Sequence, residues 1–169
     1  MFAVFVPNKD FKDETLSLIK LLLNKWNVEY KTIGYSKAAI GMHGALCRID
    51  MQPSEVTSDY KGIIFIDGKG IEESKVYDYR PLLETIIRLN DAKRPIMAVG
   101  NAVKITARAN IIKGKKLVVC DQDSKSMVSL FYGTPSNNSI EISGNIITAK
   151  DSRAVEDNAD IILQNLGIM

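Results

Sequence analysis

A strand-like run passes straight into a helix-like run in the segment RPIMAVGNAVKITARANIIKGKKLVV, Arg94–Val119. The apolar residues PIMAV (95–99) have the length and composition of a buried β-strand, and a helical pattern over residues 101–110 follows at once. A sharp strand-to-helix turn of this kind can present a catalytic nucleophile at the edge of an α/β sheet. The turn position here is Gly100, which has no side chain. The segment therefore predicts the backbone of such a site without its nucleophile.

Other apolar runs of strand length occur on both sides of this segment. They are FAVFV (2–6), GIIFI (62–66) and KLVV (116–119), with VEYKTI (28–33) as an alternating strand candidate. Runs that lack polar alternation are typical of parallel sheets buried on both faces. Residues 40–50 and 139–150 are interpreted as hairpins or extended arms.

Helical patterns lie between the predicted strands, at 11–26, 79–91, 101–110, 123–131 and 151–166. Asp10 is predicted to cap the first of these helices. Strands that alternate with helices favour an α/β doubly wound fold, with a mostly parallel central sheet and helices on both faces. The absence of repeats and low-complexity linkers predicts one domain over residues 1–169.

Composition excludes several classes of protein. The net charge is only +2 and the lysines are scattered, which gives no electrostatic basis for binding nucleic acid. No apolar run approaches the roughly 18 residues that cross a bilayer, and the N-terminal residues lack a signal-peptide pattern. Two cysteines are too few for a disulfide framework. We therefore expect a cytoplasmic protein with neither a nucleic-acid nor a membrane partner.

Two apparent motifs do not predict nucleotide or metal binding. In GIIFIDGKG, five residues separate Gly62 from Gly68-Lys69 and Gly70 follows, whereas a phosphate-binding loop needs four and then Ser or Thr. The same stretch lacks the third glycine of a dinucleotide-binding turn. His43 is the only histidine, and a turn position explains it better than a triad or zinc site. We expect no cofactor and no metal.

Five segments, taken in order, resemble the ThiJ/PfpI family of the class I glutamine amidotransferase-like superfamily. They are FAVFVPNKDFKDETL, the Gly-x-His-Gly turn GMHG (41–44), YKGIIFIDGKG, the Arg94–Val119 segment, and SGNIITAKDSRAVEDNADIIL. The resemblance covers nearly the whole chain. It implies a flavodoxin-like sandwich and a dimer or higher homo-oligomer, in a family that includes cysteine-dependent peptidases, glyoxalase or deglycase-like enzymes and stress-associated proteins.

The sequence departs from the family where the family's chemistry lies. Gly100 stands in place of the nucleophilic cysteine and Asn101 in place of the following histidine. The family's acidic residue falls at Thr15, and the neighbouring Glu14 should point elsewhere on a helix. The family's Pro-Gly-Gly loop becomes Asp67, Gly68 and Lys69. The resemblance therefore does not imply the family's peptidase or deglycase mechanism.

A polar pocket is nevertheless expected around the turn. Backbone N–H groups after Gly100 would face the loop Gly68–Gly70, and Lys69 and Asn101 would add polar contacts to a small polar or anionic ligand. Cys120 follows the strand KLVV at the edge where open α/β sheets bind ligands. It is either a displaced nucleophile or a packed thiol.

Two functional hypotheses follow. The first is a member without cysteine chemistry, acting as an oligomeric small-ligand-binding or stress-associated protein. The alternative is a hydrolase, peptidase or glyoxalase-like enzyme with a rearranged site that uses Cys120, Glu14 or Lys69. In both, Gly100 is expected at positive φ, with a small gap or a water where the side chain is missing.

Overall fold

The computed structural model describes Met1–Met169 and confirms the α/β architecture. In chain order the elements are β1 (Phe2–Phe5), β2 (Lys9–Phe11), α1 (Asp13–Lys25), β3 (Tyr30–Ile33), β4 (Ala38–Gly41), β5 (Leu46–Arg48), β6 (Gly62–Phe65), α2 (Gly70–Glu73), α3 (Arg80–Asp91), β7 (Ile96–Val99), α4 (Val103–Arg108), β8 (Lys116–Val118), α5 (Gln122–Leu130), β9 (Thr134–Ser136), β10 (Ile140–Ser143), β11 (Ile146–Ala149), α6 (Ser152–Asp157) and α7 (Ala159–Asn165). None of these helices is long and apolar enough to cross a bilayer.

The central sheet has six strands in the order β10-β11-β7-β6-β1-β3. Only β10 runs antiparallel to its neighbour, because it forms a tight hairpin with β11. The carboxyl ends of the parallel strands β1, β6 and β7 therefore meet at one edge. The loops that leave these three strands are the ones that build the site.

Both faces of this sheet are buried, as the unbroken apolar runs predict. On β1, Phe2 and Val4 pack into one hydrophobic cluster with α1 and the C-terminal helices, whereas Ala3 and Phe5 pack into another with α3 and α4. The alternation of side chains along a strand puts successive residues on opposite faces. Each face thus has its own core, and the site lies at the edge between them.

The strand predicted at 116–119 forms, but it does not join the central sheet. β8 pairs in parallel with β9 in a separate two-stranded sheet. It still contacts the central sheet, because the Val118 N–H donates to the Thr148 hydroxyl of β11 at 2.9 Å. A side-chain hydrogen bond of this kind cannot be read from apolar patterning.

The predicted N-cap Asp10 is wrong, and the first helix begins at Asp13. Asp10 has φ of 55° and lies within β2, which pairs with β4. The helix ends where Asn27 adopts a left-handed conformation, with φ of 54°. Pairing of the preceding residues into a small sheet has overridden the local capping signal.

The helix predicted over 151–166 is divided into α6 and α7. Asn158 separates them with φ of −121° and ψ of 24°. Its side-chain amide donates to the Ala154 carbonyl at 2.8 Å, which offers that carbonyl a partner outside the helical ladder. The first of the two helices is capped by Asp151, which accepts from the Ala154 N–H at 2.9 Å.

The predicted hairpin at 40–50 is confirmed as β4 and β5, which pair antiparallel. The Asp13 carboxylate accepts hydrogen bonds from the His43 N–H at 3.1 Å and the Ala45 N–H at 3.0 Å, so it holds the turn against α1. A Cβ at Gly41 would lie 2.1 Å from the same carboxylate. The Gly-x-His-Gly turn is thus a docking of the hairpin onto α1, and it brings Met42 to the rim of the site.

Candidate functional site

The turn after β7 has the backbone that the sequence predicts. Gly100 has φ of 55°, and a 3₁₀ turn over Gly100–Ala102 leads directly into α4. An L-residue other than glycine adopts this conformation at a cost of about 1 kcal/mol. Positive φ at Gly100 is therefore confirmed.

The expected gap above Gly100 is wrong, because the Asp67 side chain fills that space. A Cβ built on Gly100 would lie 2.6 Å from Asp67 Oδ2 and 3.1 Å from Asp67 Cβ. Real Cβ atoms essentially never approach another heavy atom to 2.6 Å. The loop after β6 thus places a carboxyl where an elbow side chain would begin.

The Asp67 carboxyl is buried without a well-formed hydrogen bond. The residue is 1% exposed, and neither of its oxygens makes a hydrogen bond of good geometry, although the buried Thr15 hydroxyl beside it faces the carboxyl as a donor. Burial raises the pKa of Asp67, while the nearby Thr15 hydroxyl and the Lys12 ammonium oppose the rise and the Glu14 charge adds to it. Lys12 Nζ lies 3.7 Å from Asp67 Oδ2, too far for a direct hydrogen bond.

Asn101 is locked to the facing loop. Its Oδ1 accepts from the Gly68 N–H at 3.1 Å, and its Nδ2 donates to the Gly68 carbonyl at 2.8 Å. The sequence predicted that the Asn101 amide would add polar contacts to a ligand. Instead both of its polar atoms bond to the backbone of Gly68, so they hold the loop and the turn together and occupy the Gly68 N–H.

A cleft of about 220 Å³ opens beside this contact. Its lining combines both signs of charge, with lysines and carboxylates around the polar turn. The lining residues are Lys12, Met42, Asp67, Gly68, Lys69, Gly100, Asn101, Cys120, Asp121 and Lys150. Nowhere in the chain do three or more His, Cys, Asp or Glu side chains come close enough to hold a metal ion.

The structure brings five of the eight sequence-predicted pocket residues to this cleft: Gly68, Lys69, Gly100, Asn101 and Cys120. The other three lie outside its lining. Thr15 is fully buried beside Asp67, and Glu14 is exposed on α1. Gly70 is buried at the start of α2, where a Cβ would lie against the Lys9 carbonyl.

Cys120 has the surroundings of an unreactive thiol. Partial burial and the Asp121 carboxylate raise the pKa of Cys120. Its sulfur lies 3.6 Å from Asp121 Oδ2 and 4.0 Å from Ser124 Oγ, with no basic side chain as a partner. Reactive cysteines have lowered pKa values. The raised pKa of Cys120 is the opposite of this, although the residue is exposed and lines the same cleft as three lysines.

The sequence did not predict five of the residues that line the cleft: Lys12, Met42, Asp67, Asp121 and Lys150. Asp67 follows the buried strand β6, so the sequence was enough to predict that it lies at the carboxyl edge of the central sheet. The direction of its side chain toward Gly100 depends on how the loop packs, which no local pattern shows. Asp121 was visible as a helix cap, and its Oδ1 accepts from the Ser124 N–H at 2.7 Å.

These features define a doubly wound α/β protein with a strand-to-helix turn facing a loop from the neighbouring strand. The sequence model of the DJ-1/PfpI family matches residues 2–164. The chain belongs to the DJ-1/PfpI family.

Individual proteins are similar to the chain in sequence or in fold. The chain is 24% identical over 157 residues to the uncharacterized protein MJ0967 of Methanocaldococcus jannaschii, covering 89% of this chain and 74% of that one. A ThiJ/PfpI domain protein from Brachyspira murdochii has the same fold, with a TM-score of 0.89 at 20% identity over 99% of this chain and 96% of that one. A two-domain protein from Anabaena variabilis, with DJ-1/ThiJ/PfpI-like and ferritin-like domains, gives a TM-score of 0.88 at 15% identity, over 98% of this chain and 48% of that one.

The collision between Asp67 and any side chain at position 100 can be tested by a double-mutant cycle. In a Cys120→Ser background, Gly100→Cys should destabilise by roughly 2–3 kcal/mol, from positive φ together with displacement of the Asp67 carboxyl. Adding Asp67→Ala removes the closest contact, so the second substitution should recover about 1 kcal/mol or more. Urea denaturation of the four proteins gives the coupling energy. Strict additivity would show that Asp67 does not fill this space.

A second prediction concerns the pH dependence of stability. Because burial raises the pKa of Asp67 above its ordinary 3.8, the folded protein holds this proton more tightly than the unfolded chain. The free energy of unfolding should therefore fall as pH rises from about 3.8 through the folded pKa, and then level off. Asp67→Asn removes the titrating group, so the stability of this variant relative to wild type should increase as pH rises through the folded pKa of Asp67.

Urea denaturation at a series of pH values gives the difference in free energy of unfolding between the variant and wild type. The contributions of the other titrating groups cancel in this difference. The matched control is Asp59→Asn, an exposed aspartate with no hydrogen bond of its own. A difference for Asp67→Asn that stays constant with pH, or shrinks as pH rises, would contradict the assignment.

Proposed function

We propose that this chain is a non-catalytic member of the DJ-1/PfpI family that binds a small anionic ligand and works as a homo-oligomer. The observation that carries the proposal is the Asp67 carboxyl directly above Gly100, 2.6 Å from where a side chain would begin. Nucleophilic catalysis at this turn needs a side chain there and a free backbone donor opposite it. Position 100 has no side chain, and Asn101 uses the Gly68 N–H.

A rearranged catalytic site has less support. Cys120 lacks a basic partner and burial raises its pKa. Glu14 is exposed and lies outside the cleft, and Lys69 is exposed at its rim. No two of these three residues form the hydrogen-bonded nucleophile and base that covalent catalysis requires.

The lysines support binding of an anion. Lys69 and Lys150 line the cleft, are exposed, and make no ion pair with a carboxylate of the chain. Lys12 also lines the cleft, and its only ion-pair partner is Asp67, at 3.7 Å. Three ammonium groups around one small cleft provide the point charges that attract phosphate or carboxylate groups.

Titration with inorganic phosphate tests the anion site directly. Shifts of the Asn101 and Gly68 amides in ¹⁵N NMR should report binding. Lys69→Gln and Lys150→Gln should each weaken it by roughly two- to fivefold, because each removes one partly screened attraction. Lys113→Gln, a change at an exposed lysine outside the cleft, is the matched control and should leave the affinity unchanged. Equal loss in all three variants, or no shift at these amides, would refute the anion site.

The absence of catalysis is tested on the same proteins. Amidase and glyoxalase assays of wild type and Cys120→Ser should both remain at the level of buffer. An activity present in wild type and lost in Cys120→Ser would establish the enzyme alternative.

The proposal of an oligomer rests on exposed apolar side chains of α1 and the β4–β5 hairpin. Leu46 is 76% exposed and its cross-strand partner Ile40 is 51% exposed. Leu21 of α1 is 64% exposed, and Lys20 next to it contacts Cys47 of β5, so helix and hairpin adjoin. An apolar surface shared between adjacent elements is typical of a subunit interface.

Light scattering after size exclusion should therefore give at least a dimer at micromolar concentration. Leu46→Asp should shift the protein to monomer, because it puts an unpaired charge into the apolar contact. Leu130→Asp, at a leucine 70% exposed on α5, is the matched control and should leave the mass unchanged. A monomeric wild type would refute the oligomer.

A further inference from the structure

The cleft has a buried carboxyl, that of Asp67, at its floor and exposed ammonium groups, those of Lys69 and Lys150, at its rim. At the floor, both oxygens of Asp67 are buried and lack a well-formed hydrogen bond, with the buried Thr15 hydroxyl as their neighbouring donor. At the rim, the ammonium groups of Lys69 and Lys150 have no carboxylate partner, and that of Lys12 is 3.7 Å from Asp67 Oδ2. A ligand that satisfies the cleft must therefore bring a donor to the floor and an anion to the rim.

The other polar groups around the cleft already have partners. The Asn101 amide is bonded twice to Gly68. The Asp121 carboxylate accepts from the Ser124 N–H through one oxygen and lies 3.6 Å from the Cys120 sulfur through the other. This leaves Asp67 and the lysines as the groups that select a ligand. Buried polar atoms in native structures nearly always have a hydrogen-bond partner, so one that lacks it needs an explanation.

The distance between these groups limits the spacing of the ligand's charges. Lys12 Nζ and Asp67 Oδ2 are 3.7 Å apart, so one small ligand can contact both groups. A ligand that has its donor and its anion on one carbon or on adjacent carbons is small enough to do so. The volume of about 220 Å³ is also below the roughly 300 Å³ at which pockets for drug-sized ligands begin.

A charged donor suits Asp67 better than a neutral one. Hydrogen bonds between an ammonium and a carboxylate are about twice as strong as neutral ones. Burial raises the pKa of Asp67, and the Thr15 hydroxyl and the Lys12 ammonium oppose this rise, so a further cationic donor at the carboxylate would oppose it too. The Lys12 side chain is 38% exposed, so a bound anion can reach it from the cleft.

From this arrangement we infer that the ligand is a small α-amino carboxylate, whose ammonium binds Asp67 and whose carboxylate binds Lys12, Lys69 and Lys150. The inference rests on the proposed anion site and names the class of ligand that it takes. Asp67 is then a binding residue, which accounts for a buried carboxyl that the fold itself leaves without a partner.

The experiment compares three probes that share one carboxylate: acetate, glycolate and glycine. In ¹⁵N NMR titrations at constant salt, glycine should bind wild type at least about tenfold more tightly than acetate, since a hydrogen bond to a charged group has about that effect. Glycolate, with a neutral donor, should lie between them. In Asp67→Ala, glycine and acetate should bind alike. This variant should fold, because it removes a buried polar group without a partner.

Glu73→Ala is the matched control, since it removes an exposed carboxylate of α2 outside the cleft and should keep the preference for glycine. Equal binding of the three probes in wild type, or glycolate at least as tight as glycine, would overturn the inference. Phosphate binding that depends on Lys69 and Lys150, without a preference for glycine, would overturn it and leave the proposed function standing. Failure of phosphate and all three carboxylates to bind would overturn both.

Discussion

The close approach of the Asp67 carboxyl to the backbone of Gly100 governs the rest of this site. Two parallel strands, β6 and β7, deliver these residues to the same edge of the sheet, and a Cβ at position 100 would be only 2.6 Å from Asp67 Oδ2. The paired hydrogen bonds between Asn101 and Gly68 hold the loop and the turn at this distance. A glycine at positive φ and an acid on the facing loop are therefore one structural unit, because either one restricts what the other position can hold.

The contact between Asp67 and Gly100 changes the chemistry that the strand-to-helix turn can support. The strand-to-helix turn is that of a nucleophile site, yet the space for the nucleophile holds a carboxyl and the facing N–H of Gly68 is bonded to a side chain. An attacking group and an oxyanion donor are both needed for acyl chemistry. What remains is a small cleft lined by the buried Asp67 carboxyl and three lysines, and the proposed binding of a charged ligand rests on this arrangement.

The burial of Asp67 without a partner also has an energetic meaning. An unsatisfied buried polar group costs about 1–3 kcal/mol, a large part of the 5–15 kcal/mol by which a domain is stable. Surrounding packing tolerates this cost, since the sheet beneath has a separate hydrophobic cluster on each face. Departures from full polar satisfaction in an otherwise consistent fold concentrate at functional sites. The position of Asp67, at the carboxyl edge where α/β sheets bind ligands, agrees with that rule.

Local patterns in the sequence determined most strands of the central sheet, the α/β class and the conformation of Gly100, because apolar periodicity and the steric freedom of glycine act over a few residues. Only the tertiary structure decided how these elements meet. Residues 9–11 pair as β2, so Asp10 cannot cap α1, and β8 joins a small sheet of its own. The sequence placed Asp67 and Asn101 near the turn. It did not show that the Asp67 carboxyl fills the space above Gly100, or that the Asn101 amide bonds to the backbone of Gly68. Their partners, Gly100 and Gly68, are 33 residues away in the chain, and contacts of that separation are set by packing of the whole sheet.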